Sequence, residues 1–179
     1  NPRVVGELLG DGYRIEKVIF ESQPNHHITA TLYLPFGAGP HPAVLLPCGH
    51  DNEGKAAISY QRAGIMMARN GLAVLCYDPI SQGERYQALD AEGKPRSHPT
   101  LEHTTIDVGS ILLGTSTARY RIYDGMRALD YLESRPEVDA TRLGCTGCSG
   151  GGTLTSYLMA LDPRIACAAP VCFITSLRR

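Results

Sequence analysis

The first part of the chain alternates apolar and polar residues with the two-residue period of half-buried strands. This alternation covers residues 13–20 and 27–34, and a turn-rich segment that contains Pro24 and Asn25 separates the two runs. Two alternating runs joined by a short turn predict an antiparallel hairpin. Residues 1–12 follow neither the strand period nor the helix period, so we expect a loose lead-in there.

The pattern then changes to continuous apolar runs that alternate with helical periodicity. Three runs are typical of strands buried on both faces, at residues 43–47, 72–77 and 165–171. Apolar residues at helical spacing predict three helices, at residues 59–70, 118–134 and 153–161. Residues 79–117 are polar and irregular, which is typical of a loop that shapes a binding site or is mobile. This order predicts an α/β fold, in which a mainly parallel sheet follows the N-terminal antiparallel hairpin and carries helices on both faces.

Composition and charge limit the size of the fold and the class of partner. The chain has 179 residues, and 43% of them are hydrophobic. This predicts one globular domain over residues 1–179 with an adequate core. The net charge of −1 gives no electrostatic reason to expect nucleic acid or an anionic membrane as partner. No apolar run approaches the roughly 20 residues of a membrane span. No signal peptide begins at Asn1, but a trimmed chain would look the same, so the compartment stays open.

The six cysteines predict no disulfide framework. Five of them lie in or beside apolar runs, where a cysteine usually acts as a small buried hydrophobic residue. Histidines and one cysteine also cluster in the first 50 residues, but their spacing is irregular and unlike that of a zinc site. These residues are His26, His27, His41, Cys48 and His50. We therefore expect neither a metal nor a cofactor.

The segment from Gly147 to Gly151 reads Gly-Cys-Ser-Gly-Gly, which fits the G-x-S-x-G pattern of a nucleophile elbow. A serine hydroxyl is a weak nucleophile, so it must stand clear of the backbone where a base can reach it. A sharp strand-to-helix turn achieves this only if the neighbouring residues lack bulky side chains. The pentapeptide alone would also fit an ordinary glycine-rich turn, but the apolar run before it and the predicted helix after it favour the elbow.

Taken together, the motifs resemble those of the α/β-hydrolase superfamily, and most of all the bacterial acetyl xylan esterase-like enzymes near the dienelactone hydrolase branch. The resemblance runs from about Tyr13 to Val171. It rests on four stretches: Leu45-Leu46-Pro47-Cys48-Gly49-His50, Tyr77-Asp78-Pro79 with Gly83-Glu84-Arg85, Ala128-Leu129-Asp130-Tyr131-Leu132, and residues 147–152. It implies an α/β-hydrolase fold and carboxylic ester hydrolysis through an acyl-enzyme, with a carbohydrate acetyl ester as the expected substrate.

The same resemblance implies roles for individual residues. Ser149 would be the nucleophile, and the backbone N–H of Gly150 would be one oxyanion donor. The second donor would come from the loop after the first buried strand. The backbone N–H of His50 is our candidate, with Asp51 as the neighbouring possibility. A plain loop histidine remains the competing interpretation of His50.

One departure from the family pattern concerns the catalytic base. In this fold the triad runs Ser, then Asp or Glu, then His along the chain. Asp162 is the only carboxylate after Ser149, no histidine follows it, and we expect Asp162 on the opposite side of the sheet. We therefore expect the chain to be the N-terminal portion of a hydrolase that lacks its last strands here. The base and acid would lie on a further part of the protein or on a second chain.

Two other functions stay open, a serine peptidase of the prolyl oligopeptidase type and a non-catalytic hydrolase-like segment or subunit. Several side chains also have competing interpretations. His98 and His103 could supply a base from the long loop, Asp78 could cap the next turn or face a ligand, and Arg85 could meet substrate or pair with Glu84 or Asp90. Arg119 and Arg121 suggest a solvated helix face. We expect Cys148 to be a buried, inert thiol that points away from Ser149.

Overall fold

One seven-stranded sheet organises the protein in the computed structural model, which describes residues 1–174. The strands are β1 (Arg3–Gly10), β2 (Tyr13–Gln23), β3 (His26–Pro35), β4 (His41–Pro47), β5 (Ala73–Tyr77), β6 (Val138–Cys148) and β7 (Ile165–Val171). The α-helices are α1 (Ile58–Arg69), α2 (Pro99–Leu112), α3 (Thr117–Glu133) and α4 (Gly150–Leu161). Two short 3-10 turns lie at Gly54–Ala56 and Gly83–Arg85.

The strand order across the sheet is β1-β2-β3-β5-β4-β6-β7. Strands β1, β2 and β3 are antiparallel neighbours, and β3 is also antiparallel to β5. The other four strands, β5, β4, β6 and β7, run parallel. The predicted hairpin is confirmed as β2 and β3, in which Phe20 pairs with Ile28. Because β4 and β6 are parallel neighbours, their carboxyl ends lie side by side at one edge of the sheet.

Helices cover both faces of the sheet, as the sequence predicts. On one face Leu129 of α3 and Leu158 of α4 pack in a core cluster with Leu32, Leu45 and Leu75. On the other face Tyr60 and Ala68 of α1 pack in a second cluster with strand residues Tyr33, Val74 and Cys76. The central strands are buried on both sides, and all five residues of β5 are inaccessible. This explains the continuous apolar runs of β4 and β5.

Two predictions about irregular segments are wrong. The expected loose lead-in contains β1, whose backbone pairs with β2 although Val4, Val5, Leu8 and Leu9 are exposed. Pairing depends on backbone hydrogen bonds, so β1 needs no buried apolar face. The expected irregular stretch at 79–117 contains α2, a helix of 14 residues. No helix in the described part of the chain combines the length and hydropathy that a bilayer span requires.

The expectation of a third fully buried strand is also wrong. Strand β7 pairs with β6 on one side only, and its residues alternate between exposed and half-buried. Leu161, which the helical pattern groups with Leu154 and Leu158, is 55% exposed at the end of α4.

The prediction that the cysteines are buried holds for part of the set. Cys48, Cys76 and Cys145 are buried, Cys148 is half-buried, and Cys167 and Cys172 are exposed. All six are free thiols.

Candidate active site

Ser149 lies between the end of β6 and the start of α4, at the carboxyl edge of the parallel strands. Its backbone has φ 56° and ψ −116°, and its side chain is exposed. A positive φ is strained for a residue with a Cβ and costs on the order of 1–3 kcal/mol. The N–H of Ser149 donates to the carbonyl of Val171 at 2.9 Å, which ties the turn to β7. The turn therefore presents a serine hydroxyl to solvent at the N-terminus of a 12-residue helix.

Glycines are required around Ser149 because the backbone of neighbouring segments approaches closely. A Cβ at Gly147 would stand 2.7 Å from the carbonyl of Gly151 and 2.8 Å from the oxygen of Pro47. A Cβ at Gly150 would stand 2.6 Å from Nδ1 of the His50 ring. These separations are shorter than van der Waals contact, so the spacing of glycines in the motif follows directly from the packing of the turn.

The loop at residues 48–51 follows β4 and reaches the same edge of the sheet. The Gly49 N–H donates to the hydroxyl of Tyr60 on α1, at 2.5 Å. The buried side-chain amide of Gln82 donates to the carbonyls of Gly49, at 2.6 Å, and Cys48, at 3.2 Å. The loop is thus held through both its amide and its carbonyl groups.

The two candidate oxyanion donors on this loop differ in their hydrogen bonds. The Asp51 N–H donates to the carbonyl of Gly49 at 2.8 Å, so it is already occupied. The His50 N–H has no acceptor among residues 1–174. The N–H of Gly150 is the first of α4, a position where no helical carbonyl is available to accept. An arriving oxygen atom would therefore find free donors at His50 and Gly150, and the oxyanion roles of both residues stay predictions.

The His50 ring belongs to a chain of hydrogen bonds. Its Nε2 lies 3.2 Å from Nδ1 of His103 on α2, and Nε2 of His103 lies 2.8 Å from the carbonyl of Ile80. Since a carbonyl only accepts, Nε2 of His103 carries its proton, and Nδ1 of His103 accepts from Nε2–H of His50. Burial, reinforced by the positive charge of Arg121, lowers the pKa of His50 to about 4 and also lowers the pKa of His103. Both rings are therefore neutral at pH 7.

Ser149 and His50 line one cavity of about 410 Å³. Tyr60, Asp51 and Val171 also contribute to its walls. The volume is within the range of small-molecule sites. A larger groove of about 660 Å³ lies elsewhere, between β1, β2 and the segment after the loop, and does not include Ser149. We place the candidate active site at the Ser149 cavity because the strained turn and the free amides meet there.

Two charged residues singled out in the sequence organise the segment after β5. Asp78 is fully buried and accepts hydrogen bonds from Thr29 Oγ1, at 2.7 Å, and from the backbone N–H of Lys55, at 2.7 Å. Its carboxylate also receives the N–H of Glu84, at 3.4 Å, so the turn-capping interpretation is the better one. Arg85 pairs with neither predicted partner. It is buried and bound to Asp124 at 2.8 Å.

The remaining predicted residues lie outside this arrangement. His98 is exposed and contacts Thr100, whereas His103 bonds to His50 and Ile80. Asp162 lies at the far end of α4 from Ser149, as expected, and it binds Arg164. Cys148 is half-buried, and burial with its neighbour Cys172 raises the pKa of its thiol, which disfavours the nucleophilic thiolate. No cluster of three metal-binding side chains occurs within residues 1–174.

Sequence reasoning missed the contacts by which three side chains hold the loop, those of Tyr60, Gln82 and His103. Tyr60 has the spacing of a core residue of α1, which hides its second role as an acceptor for Gly49. His103 lies on α2, and the one sequence signal for that helix was Pro99 at its first turn, where proline is favoured. No local pattern marks Gln82, because its importance arises from a contact 33 residues away.

Comparison with known proteins identifies the family. The family model described as acetyl xylan esterase (AXE1) matches residues 10–179. A 4-O-methyl-glucuronoyl methylesterase from Podospora anserina is 31% identical over 144 residues, which cover 76% of this chain and 24% of that protein. The chain spans less than half the length of the curated relatives that it matches, between 24% and 44%.

Solved structures show the same fold. A structure from Bacteroides fragilis NCTC 9343 superposes with a TM-score of 0.80 at 23% identity, covering 94% of this chain and 47% of that one. Methylesterase BT1017 gives a TM-score of 0.75 at 28% identity, covering 97% of this chain and 35% of that one. The solved structures confirm the predicted α/β-hydrolase fold, and the family model confirms the predicted resemblance to acetyl xylan esterase-like enzymes. The chain belongs to the acetyl xylan esterase (AXE1) family.

Proposed function

We propose that this chain carries the nucleophile and the oxyanion side of a serine carboxylic ester hydrolase that acts through an acyl-enzyme. One observation carries the proposal: Ser149 has the strained backbone of a nucleophile elbow, with an exposed side chain in the same cavity as the unoccupied His50 N–H. Membership of an esterase family supports the class of reaction. Fold alone would not do so, because one fold hosts many activities.

In the proposed reaction, Oγ of Ser149 attacks the ester carbonyl carbon, and its proton passes to a general base. The carbonyl π electrons move to oxygen, and the N–H groups of His50 and Gly150 donate to the resulting oxyanion. The intermediate collapses as the bond to the alcohol oxygen breaks, and the alcohol leaves with the proton. Water then attacks the acyl-serine by the same route and releases the carboxylic acid.

The general base is proposed to lie outside residues 1–179, with the acid of the triad. No histidine follows Ser149 in the sequence. Of the upstream histidines, His50 donates its Nε2 proton to His103 and His103 donates to a carbonyl, and no hydrogen bond joins either ring to Ser149 within residues 1–174. A further part of the hydrolase, on the same or on a second chain, would supply the base. Without it, a serine loses most of its advantage over uncatalysed hydrolysis.

Carbohydrate acetyl esters are the proposed substrates, on the strength of the family. Uronate methyl esters are a second candidate, because two relatives are described as methylesterases. A peptidase of the prolyl oligopeptidase type and a non-catalytic subunit remain the alternatives from other classes. The half-open cavity at the edge of the sheet suits a small ester and gives no argument for a peptide.

Substrate profiling of the longest expressed form of the protein tests this proposal. We would measure acetate release from acetylated xylo-oligosaccharides, methanol release from methyl glucuronate and cleavage of a proline-containing peptide, each with Ser149→Ala as control. We expect ester hydrolysis that depends on Ser149 and no peptide cleavage. Peptide cleavage would favour the peptidase alternative over the esterase. Ester hydrolysis that persists in Ser149→Ala would contradict the proposed role of Ser149.

A further inference from the structure

Arg121 on α3 has an environment that the esterase reaction does not explain. The sequence suggests a solvated helix face for Arg119 and Arg121, which holds for the exposed Arg119 and is wrong for Arg121. Nε and Nη2 of Arg121 are buried and have no hydrogen-bond partner in the described part of the chain. None of its nitrogens lies within 4 Å of a carboxylate of residues 1–174, the limit for an ion pair. Burial lowers its pKa below that of a free arginine.

The carboxylates nearest to Arg121 are engaged with other groups, and neither of them forms an ion pair with it. Asp124 is the carboxylate with the strongest electrostatic effect on Arg121. It is already bound by Arg85 at 2.8 Å and by the hydroxyl of Ser22 at 2.6 Å. Asp124 is therefore engaged with Arg85 and forms no ion pair with Arg121. The nearby hydroxyl of Tyr77 is buried without a partner and uncharged, because burial raises its pKa.

An unpaired buried charge is costly, and a hydrophobic residue of similar size is often more stable in such a position. Nearly all buried polar groups in proteins have partners, so an orphaned one calls for an explanation. Groups retained at a cost to stability are concentrated at sites that bind ligands or perform chemistry. Arg121 therefore points to an anion that is not part of residues 1–174.

A cavity of about 420 Å³ borders Arg121, between α2 and the first turns of α3. His103, Thr104 and Thr117 contribute to its polar wall. Its single carboxylate, Asp107, accepts the N–H of Thr117 at 2.6 Å and makes no ion pair with Arg121. The cavity is also adjacent to the candidate active site, because His103 contacts His50, and His50 lines the cavity that holds Ser149.

We propose that the cavity beside Arg121 binds a free carboxylate group and thereby selects ester-bearing sugars that carry an acid, such as uronic acids. A monoanion fits better than a phosphate dianion because the wall beside Arg121 also contains the carboxylate of Asp107, which repels negative charge. Binding of the carboxylate needs no reaction at Ser149, but selection among esters rests on the proposed function.

Titration calorimetry on the longest expressed form of the protein tests the site without any need for catalysis. Sodium glucuronate and glucose, at matched ionic strength, form a ligand pair that differs in the carboxylate. We compare the unmodified protein with Arg121→Met and, as matched control, Arg119→Met two residues away on the exposed side of α3. We expect saturable glucuronate binding that Arg121→Met weakens by roughly tenfold or more, as for loss of a charge-assisted hydrogen bond, and that Arg119→Met leaves unchanged. Glucose should not bind.

Thermal unfolding supplies the second readout. Without ligand, Arg121→Met should unfold at a higher temperature than the unmodified protein, because it removes an unpaired buried charge. Failure of Arg121→Met to fold, or a lower midpoint, would reveal a structural partner for Arg121 and overturn the proposal. Equal binding by Arg121→Met, equal binding of glucose, or no binding of glucuronate would overturn it as well. Labelling of Ser149 by a fluorophosphonate is measured separately. If the esterase proposal fails, the result on glucuronate binding can therefore still be interpreted.

Discussion

The two sides of Ser149 are built very differently. On the side of β4, the loop at residues 48–51 is fixed by three buried or half-buried side chains, Tyr60, Gln82 and His103. On the side of β7, the strand is paired on one edge only and Val171 is 44% exposed. The contrast divides the proposed reaction between two parts. This chain positions the N–H groups that are proposed as oxyanion donors, and the base that activates Ser149 is proposed to come from elsewhere.

The comparison also explains for which strands the sequence predicts burial correctly. A strand flanked on both edges and covered on both faces, such as β5, is fully buried. Strand β7 has a similar apolar composition, yet Cys167 in it is exposed. An apolar run indicates where burial is favourable, but it does not show whether neighbouring strands and helices cover that segment.

The largest expected effect concerns the two adjacent side chains at the turn. Ser149→Ala should lower kcat for ester hydrolysis in the longest expressed form by a factor on the order of 10³ or more, because the nucleophile is lost. Cys148→Ala, its matched neighbour, should retain most activity, since the raised pKa of Cys148 disfavours the thiolate. Steady-state assays with an acetyl ester would check both. A greater loss of activity in Cys148→Ala than in Ser149→Ala would show that Ser149 is not the nucleophile.

The packing of the turn can be broken without touching the nucleophile. Gly147→Ala should destabilise the protein by roughly 1–3 kcal/mol, because the new methyl group meets backbone atoms of Gly151 and Pro47 that cannot move independently. Gly109→Ala in α2 is the control, since a Cβ there meets nothing within 4 Å. Urea unfolding followed by circular dichroism gives both free energies. Equal stability of the two variants would mean that the turn is looser than described.

The loop that presents His50 can be weakened through its second contact. Gln82→Met removes the amide that binds the carbonyls of Cys48 and Gly49 and should lower kcat by about tenfold while KM changes less. The reason is that the oxyanion donors act on the transition state more than on bound substrate. Gln61→Met on α1, at an exposed glutamine, is the control. A change confined to KM would argue that Gln82 contacts substrate and does not support the loop.

The smallest expected effect is a dependence of stability on pH that arises from His50. Its pKa of about 4 lies below the roughly 6.5 of an unfolded histidine, so the unfolded chain binds more protons between these values. The contribution of His50 is therefore fully present above about pH 6.5 and is lost as the pH falls toward 4. Denaturation at pH 7.0 and 4.5 should show a smaller loss for His50→Gln than for the unmodified protein. His98→Gln, at an exposed histidine, should match the unmodified protein.

Much of the fold and the centre of the site can be predicted from the sequence, for physical reasons. The hairpin, the strands β4 and β5 and the elbow glycines follow from local periodicity and from the steric demands of a tight turn. Strand β1 and α2 escape prediction because their apolar residues face outward, as Leu9 and Leu112 do. Gln82 and His103 matter through contacts that are distant in sequence, and no spacing rule encodes such contacts.

Intact-mass analysis after treatment with a fluorophosphonate probe tests the central claim most directly. The longest expressed form of the protein and its Ser149→Ala variant are compared, with the site of the adduct located by peptide mapping. We predict one adduct, on Ser149, that is absent from Ser149→Ala. No adduct, or an adduct that persists in Ser149→Ala, would contradict the account of Ser149 as the nucleophile of a serine esterase.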